Sequence, residues 1–393
     1  MRTLFTLSLS LILFQASYAQ QWYKGNLHTH SYWSDGDDFP EMIMDWYKSH
    51  GYHFVGLSDH NILAEGEKWK LIPNSYAHRQ GFQKYLDKYG EEWVEYEKDA
   101  DERIRVRLKT LAQYRPLFEE EGKFLVIQSE EVTDQFEDKH IHMNVTNVQS
   151  LIEPQHGNSV TEVMQNNINA INRQRQESRV PMFPHINHPN FIWSITVDDM
   201  IPLSGERFFE VYNGHPMVNN YGDSTRLGME KIWDILITNY LRDQKPVMYG
   251  LATDDAHSYH IYGGDQSNPG RGWVMVKAEE LSAEALIKAL EAGDFYSTTG
   301  VELESIVQTD NRLSVKVKKE GGINYRIQFW GSKKGASRKD MGVLLQEVEG
   351  LEASYQLQED ELYVRAKIIS TKPKINPFQE GDFEVAWTQP VVR

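Results

Sequence analysis

The chain has 393 residues, 40% of them hydrophobic, and a formal net charge of −16. That is enough apolar sequence for a sizeable core in one large domain or two ordinary ones. The acidic balance disfavours nucleic acid as a partner, because phosphate backbones attract basic surfaces. With no cysteine, disulfides, thiolate zinc sites and cysteine nucleophiles are excluded, so a transition metal must be held by His, Asp and Glu.

The N-terminus reads as an export signal over residues 1–19. Arg2 supplies the positive start, residues 4–14 an apolar run, and Ser17-Tyr18-Ala19 a small-x-small cleavage pattern. The run is too short for a membrane span of about 20 residues. The mature protein is expected to start near Gln20, periplasmic or secreted, without a stable membrane anchor.

Short apolar strands are then expected at residues 25–30, 53–58, 124–128, 140–148, 180–186, 208–212 and 247–253. Helix-like segments lie between them at 40–50, 160–176, 225–242 and 282–292. Such alternation predicts an α/β sheet or barrel. Residues 84–121 are charged and helix-favouring, and read as a solvated helical excursion on the rim. From about residue 299 strand-like runs recur without helices, at 314–317, 325–330, 362–369 and 383–387. This predicts a small all-β domain over 301–393, which contains no histidine and so no expected metal ligand.

The chemistry gathers at strand ends. In Leu27-His28-Thr29-His30, alternation puts His28 and His30 on one face, where two imidazoles can grip one metal. Ser34-Asp35-Gly36 is a turn able to fold a carboxylate back toward it. Ser58-Asp59-His60-Asn61, Ser129-Glu130-Glu131, His185-Ile186-Asn187-His188-Pro189 and Asp254-Asp255-Ala256-His257 each follow an apolar strand. Active sites of α/β barrels lie at such C-terminal strand ends. His140 and His142 follow with strand spacing. His50, His53, His78 and His156 match no motif and read as surface or packing residues. His140, His185 and His260 are neighbours of candidate ligands. His215, after Glu210-Val211-Tyr212-Asn213-Gly214, is a candidate substrate contact. Arg271 reads either as an anion clamp, because a guanidinium fork suits phosphate oxygens, or as a partner for one of the carboxylates.

In order, H-x-H, S-D-G, S-D-H-N, E-E-V-T, H-x-N, N-H-P and D-A-H resemble the polymerase and histidinol phosphatase (PHP) superfamily over about residues 23–300. The segment ending Ala-Gly-Asp-Phe-Tyr-Ser-Thr-Thr-Gly looks like the tail of its carbaryl-hydrolase-like branch. The resemblance implies a distorted barrel of about seven strands holding two or three divalent ions (Zn, Mn, Fe or Mg). It implies a first ion on His28, His30, Glu131 and Asp255, a second on Glu131, His142 and His188, and a third on Asp35, His60 and His257. Glu131 would bridge and Asp59 would orient its neighbours. The expected activity is hydrolysis of a small phosphoester by metal-bound hydroxide. A carbamate or carboxylic ester hydrolase, and a non-catalytic secreted metal- or ligand-binding protein, are the alternatives.

Overall fold

A computed structural model describes residues 20–393; the expected export signal lies outside the described residues. In chain order, β1 (Gln21–Asn26) leads to α1 (Pro40–Ser49) and β2 (Phe54–Leu57). An excursion follows: β3 (Trp69–Leu71), α2 (Tyr76–Tyr89), β4 (Tyr96–Lys98), β5 (Ile104–Arg107) and α3 (Leu111–Phe118). Then come β6 (Leu125–Phe136), β7 (Lys139–Thr146), α4 (Val160–Ser178), β8 (Phe183–Ile186), α5 (Val197–Met200) and β9 (Phe208–Asn213). The helix-bearing part closes with α6 (Met229–Arg242), β10 (Tyr249–Thr253), β11 (Trp273–Ala278), α7 (Ala283–Ala292) and β12 (Phe295–Thr298).

The helices form where the sequence carries caps and one apolar stripe. Ser159 and Ser282 accept the amide hydrogens of Glu162 and Ala285 at the starts of α4 and α7. Pro40 opens α1, whose Ile43, Met44 and Tyr47 are buried.

Seven strands carry the site, in the order β10-β9-β8-β7-β6-β2-β1. All adjacent pairs are parallel except those of β7, which runs antiparallel to both neighbours. Past the last residue of β10 the chain returns to the continuation of β1. The Asp255 amide donates to the His28 carbonyl at 3.0 Å and the His30 amide to the Ala256 carbonyl at 2.9 Å, around a parallel bridge of Thr29 with Ala256. The two ends of the row are thus tied together where the histidines lie.

The expected helix over 84–121 is a correction. The stretch folds as the end of α2, the antiparallel strands β4 and β5 with β3, and then α3. Its charges mask a two-residue period. Val106 and Leu108 are buried, while Arg105 and Arg107 reach across to Glu97 and Glu95 at 2.7 and 2.8 Å.

Beyond residue 300 lie β13 (Leu303–Thr309), β14 (Arg312–Val317), β15 (Tyr325–Lys333), β16 (Val343–Glu349), β17 (Glu352–Gln356), β18 (Glu361–Pro373), β19 (Phe383–Thr388) and β20 (Val391–Val392). The large sheet crosses residue 300 without a break, because β12 pairs with β19 and the order runs on through β18, β15 and β16. These strands also enclose a hydrophobic cluster around Leu313, Ile327, Phe329 and Ile368, which Tyr296 of β12 joins. Among the described residues no helix is long and apolar enough to cross a membrane.

Candidate metal centre

His28 and His30 lie just past β1, and Gly25 in that strand packs flat against the Phe54 ring. The Ser34-Asp35-Gly36 turn folds back over His30. A Cβ on Gly36 would meet the His30 carbonyl oxygen at 2.6 Å, so only glycine allows the approach. Asp59 holds this turn. Its carboxylate accepts from the Ser31 and Ser34 amides at 2.8 and 3.0 Å and from their hydroxyls at 2.7 and 2.6 Å. Its backbone carbonyl accepts the Glu131 amide hydrogen at 3.2 Å.

Glu131 sits at the centre. β6 continues to Phe136 rather than ending at residue 128, so strand alternation holds at the paired glutamates. Glu131 Oε2 lies 3.2, 3.1 and 3.1 Å from His28 Nε2, His30 Nε2 and His60 Nδ1. Oε1 lies 3.1 Å from His142 Nδ1 and 3.5 Å from His188 Nε2. Glu130 points the other way and accepts the Ile152 amide hydrogen at 2.9 Å.

Asp255 Oδ1 is 3.2 Å from both His28 Nε2 and His30 Nε2. Asp35 is half exposed and lies 3.5 and 3.4 Å from His60 Nε2 and His257 Nε2. All nine sequence-expected ligands therefore converge. Three site positions, Asn61, His188 and Asp255, hold positive φ (49°, 21° and 49°), a strain that persists only where the surroundings over-determine it.

The donor set fits cations. His28 Nδ1 lies 2.6 Å from Glu210 Oε1, and His257 Nδ1 lies 2.9 Å from the Asp255 carbonyl oxygen. His60 Nδ1 meets the Thr133 hydroxyl. A hydrogen on Nδ1 would serve each of those contacts and leave Nε2 of all three rings facing the cluster as a metal-binding atom. Neither ring nitrogen of buried His142 makes a hydrogen bond, although Nδ1 is close to Glu131.

The electrostatics agree. Burial alone would raise the Glu131 and Asp255 carboxyls. The facing histidines instead hold both well below the ordinary range, His60 and His28 being the largest influences on Glu131 and His28 and His30 on Asp255. Burial lowers His142 to about 4. His30 is pushed up to about 10, because hydrogen bonds to Asp255 and Glu131 outweigh its burial. Without metal, protons supply the positive charge these carboxylates demand.

Sequence reasoning missed the supporting layer. Glu210 is fully buried and takes the His28 contact plus hydrogen bonds from the His188 amide, Asn213 and Thr253, each at 2.8 Å. Asn187 donates to Glu131 at 2.7 Å and Asn213 to Asp255 at 3.1 Å. The acidic residue in a strand with adjacent apolar residues was the available signal for Glu210. Its partners are distant in sequence and left none.

Arg271 is a correction. It is 2% exposed, and its guanidinium donates to the carbonyls of Gly214, Gly263, Gln266 and Asn376. Those bonds fasten three loops and leave no fork for a phosphate.

The cluster opens into a cavity of about 400 Å³ that His140 and His215 also line. A larger hollow of about 780 Å³ lies among the strands beyond residue 300, with no histidine and a single carboxylate, Glu349, in its lining. No family profile and no curated protein matches the chain. Two solved structures resemble it in outline. One is a two-domain protein from Bacteroides vulgatus described as containing a predicted PHP-like metal-dependent phosphoesterase. It is 13% identical, the match spans 89% of this chain and 90% of that one, and the TM-score is 0.42. The other, from Bifidobacterium adolescentis, is named as a candidate metal-dependent phosphoesterase. It is 11% identical over 59% of this chain and 87% of that one, with a TM-score of 0.28. At such values no residue role is carried across from either.

Proposed function

We propose that the protein is an exported metal-dependent phosphoesterase of the PHP superfamily, in its carbaryl-hydrolase-like branch, built on a distorted seven-stranded barrel. The observation that carries this reading is the placing of both Glu131 oxygens among imidazoles from four separate segments, as a bridging carboxylate requires. The ions would be shared as His28, His30, Glu131 and Asp255; Glu131, His142 and His188; and Asp35, His60 and His257.

Divalent ions in such a site lower the pKa of water toward neutrality and offset charge on a phosphoryl oxygen. The chain's own groups do the positioning. Glu210 orients His28, Asn187 and Asn213 orient the two carboxylates, and Asp59 fixes the turn that bears Asp35. His215 is pushed down to about 4 by burial and stays neutral. Its Nδ1 accepts the Met217 amide hydrogen at 3.1 Å, so the hydrogen is on Nε2, available to a substrate oxygen.

The test is metal analysis of protein purified without chelator, joined to hydrolysis of phosphoester and carboxyl-ester substrates with Mn or Zn. Phosphoester turnover that is lost on chelation and restored by metal is expected. Turnover of carboxyl esters alone favours the ester-hydrolase alternative, and bound metal without any turnover favours a binding protein. Export rests on the apolar run and Ala19. N-terminal sequencing of the native protein should begin near Gln20, and retention of Met1 overturns it.

A further inference from the structure

The cavity over the cluster has two faces of opposite character. Against the histidines and carboxylates stands a wall made by two segments that pair at Phe191 and Val218. It presents Phe191, Pro216 and Met217. The Phe191 ring centre lies 5.0, 5.5, 5.9 and 6.2 Å from those of His188, His215, His140 and His142. Met217 is 50% exposed and so remains free to meet a ligand. The backbone beside Phe191 is strained. Ile192 and Trp193 hold φ of 41° and 61°, which β-branched and bulky residues rarely adopt.

Among the described residues the cavity offers no guanidinium or ammonium. Among the described residues its lining has four carboxylates, Asp35, Glu131, Asp255 and Asp265, and neither lysine nor arginine. Arg271 is committed to backbone carbonyls. Lys70, which feels the charge of Asp35, places its ammonium on the Ser34 carbonyl at 3.2 Å.

Resting on the phosphoesterase reading, we propose that this cavity selects a singly charged phosphodiester with an apolar aryl or alkyl arm over a doubly charged phosphomonoester. A monoester dianion would bring a second negative charge that the ions alone would have to meet, because no guanidinium or ammonium stands opposite them. A diester replaces that charge with an ester arm, and Phe191, Pro216 and Met217 supply the apolar surface that desolvates it. In the reaction a water oxygen bonds to phosphorus and one P–O ester bond breaks. One water proton ends on the departing oxygen and the other on the phosphate product or solvent. The monoester so formed is the species this cavity holds less well.

The experiment uses the full mature chain loaded with Mn or Zn. It compares kcat/KM for bis(p-nitrophenyl) phosphate and p-nitrophenyl phosphate. Calorimetric binding of diphenyl phosphate and phenyl phosphate is measured alongside. We expect the diester to be favoured about tenfold or more in both readouts. Met217→Ala, outside the metal centre, should weaken diphenyl phosphate about threefold and phenyl phosphate, with its single arm, by less. Equal or tighter binding of phenyl phosphate, or preferred turnover of the monoester, overturns the selectivity alone. Diphenyl phosphate binding as expected without turnover of either ester overturns the phosphoesterase reading and supports the selectivity.

Discussion

Two of the clusters of buried charge among the described residues are built on opposite plans. The first joins α6 to β18. Arg365, 1% exposed, donates to both oxygens of Asp234 at 2.8 and 2.7 Å, and the Tyr363 hydroxyl donates to the same carboxylate at 2.7 Å. Lys367 pairs with Glu230 beside them. Two cations meet two anions, and the charge is closed. The second is the centre around Glu131, where Glu131, Asp255 and Glu210 are buried against imidazoles and neutral amide and hydroxyl donors. There the balancing charge rests on protons of the histidines, which arriving cations can replace. Both clusters bear the desolvation cost of buried charge, but only the second has capacity left for a ligand.

Substitutions can break or sharpen this contrast. The largest effect is expected at Glu131. Glu131→Gln keeps the shape but removes the charge that holds two cations together, and should lose metal and about a hundredfold or more of any hydrolysis. Glu130→Gln, on the opposite face of β6, should keep both. Metal content and turnover of the two variants are measured side by side. If Glu130→Gln is the inactive one, the register is off by a residue. If neither loses metal, the bridged centre is wrong.

In the closed cluster, Asp234→Asn strands the Arg365 guanidinium in the interior. It should cost about 3–5 kcal/mol in denaturant unfolding and leave metal content per folded chain unchanged. A parallel loss of metal would show that the clusters are coupled and the contrast false.

The smallest effect belongs to Glu210. Glu210→Gln keeps an acceptor for His28 Nδ1 but loses the charge behind it. Competition with a chelator should show metal affinity about 10–100-fold lower, with unfolding little changed. An unaltered affinity would reduce Glu210 to a packing residue.

Much of this was legible in residues alone. The strands β1, β2 and β6 to β10 and the helices α1, α4, α6 and α7, with α1 from Pro40 and β9 from Phe208, follow from apolar runs and caps that act within a few residues, whereas α5, β11 and β12 were not expected. The nine residues that meet at Glu131 were named through the family resemblance, to which alternation and strand-end position, both local properties, lent support. Tertiary structure alone decided the rest. Only the sheet order shows that β7 runs against its neighbours, so that its first half, with His142, lies level with the far ends of β6 and β8. Only contacts across the chain reveal that Glu210 stands behind His28, 182 positions away in sequence. Arg271 and residues 84–121 were misread for one reason. A charged side chain looks solvent-facing or ligand-facing in a sequence until its partners are known. Here those partners are backbone carbonyls of three loops and carboxylates on an adjacent strand. Local sequence sets periodicity and residue chemistry; which buried charges are satisfied depends on long-range neighbours, which only the folded chain brings together.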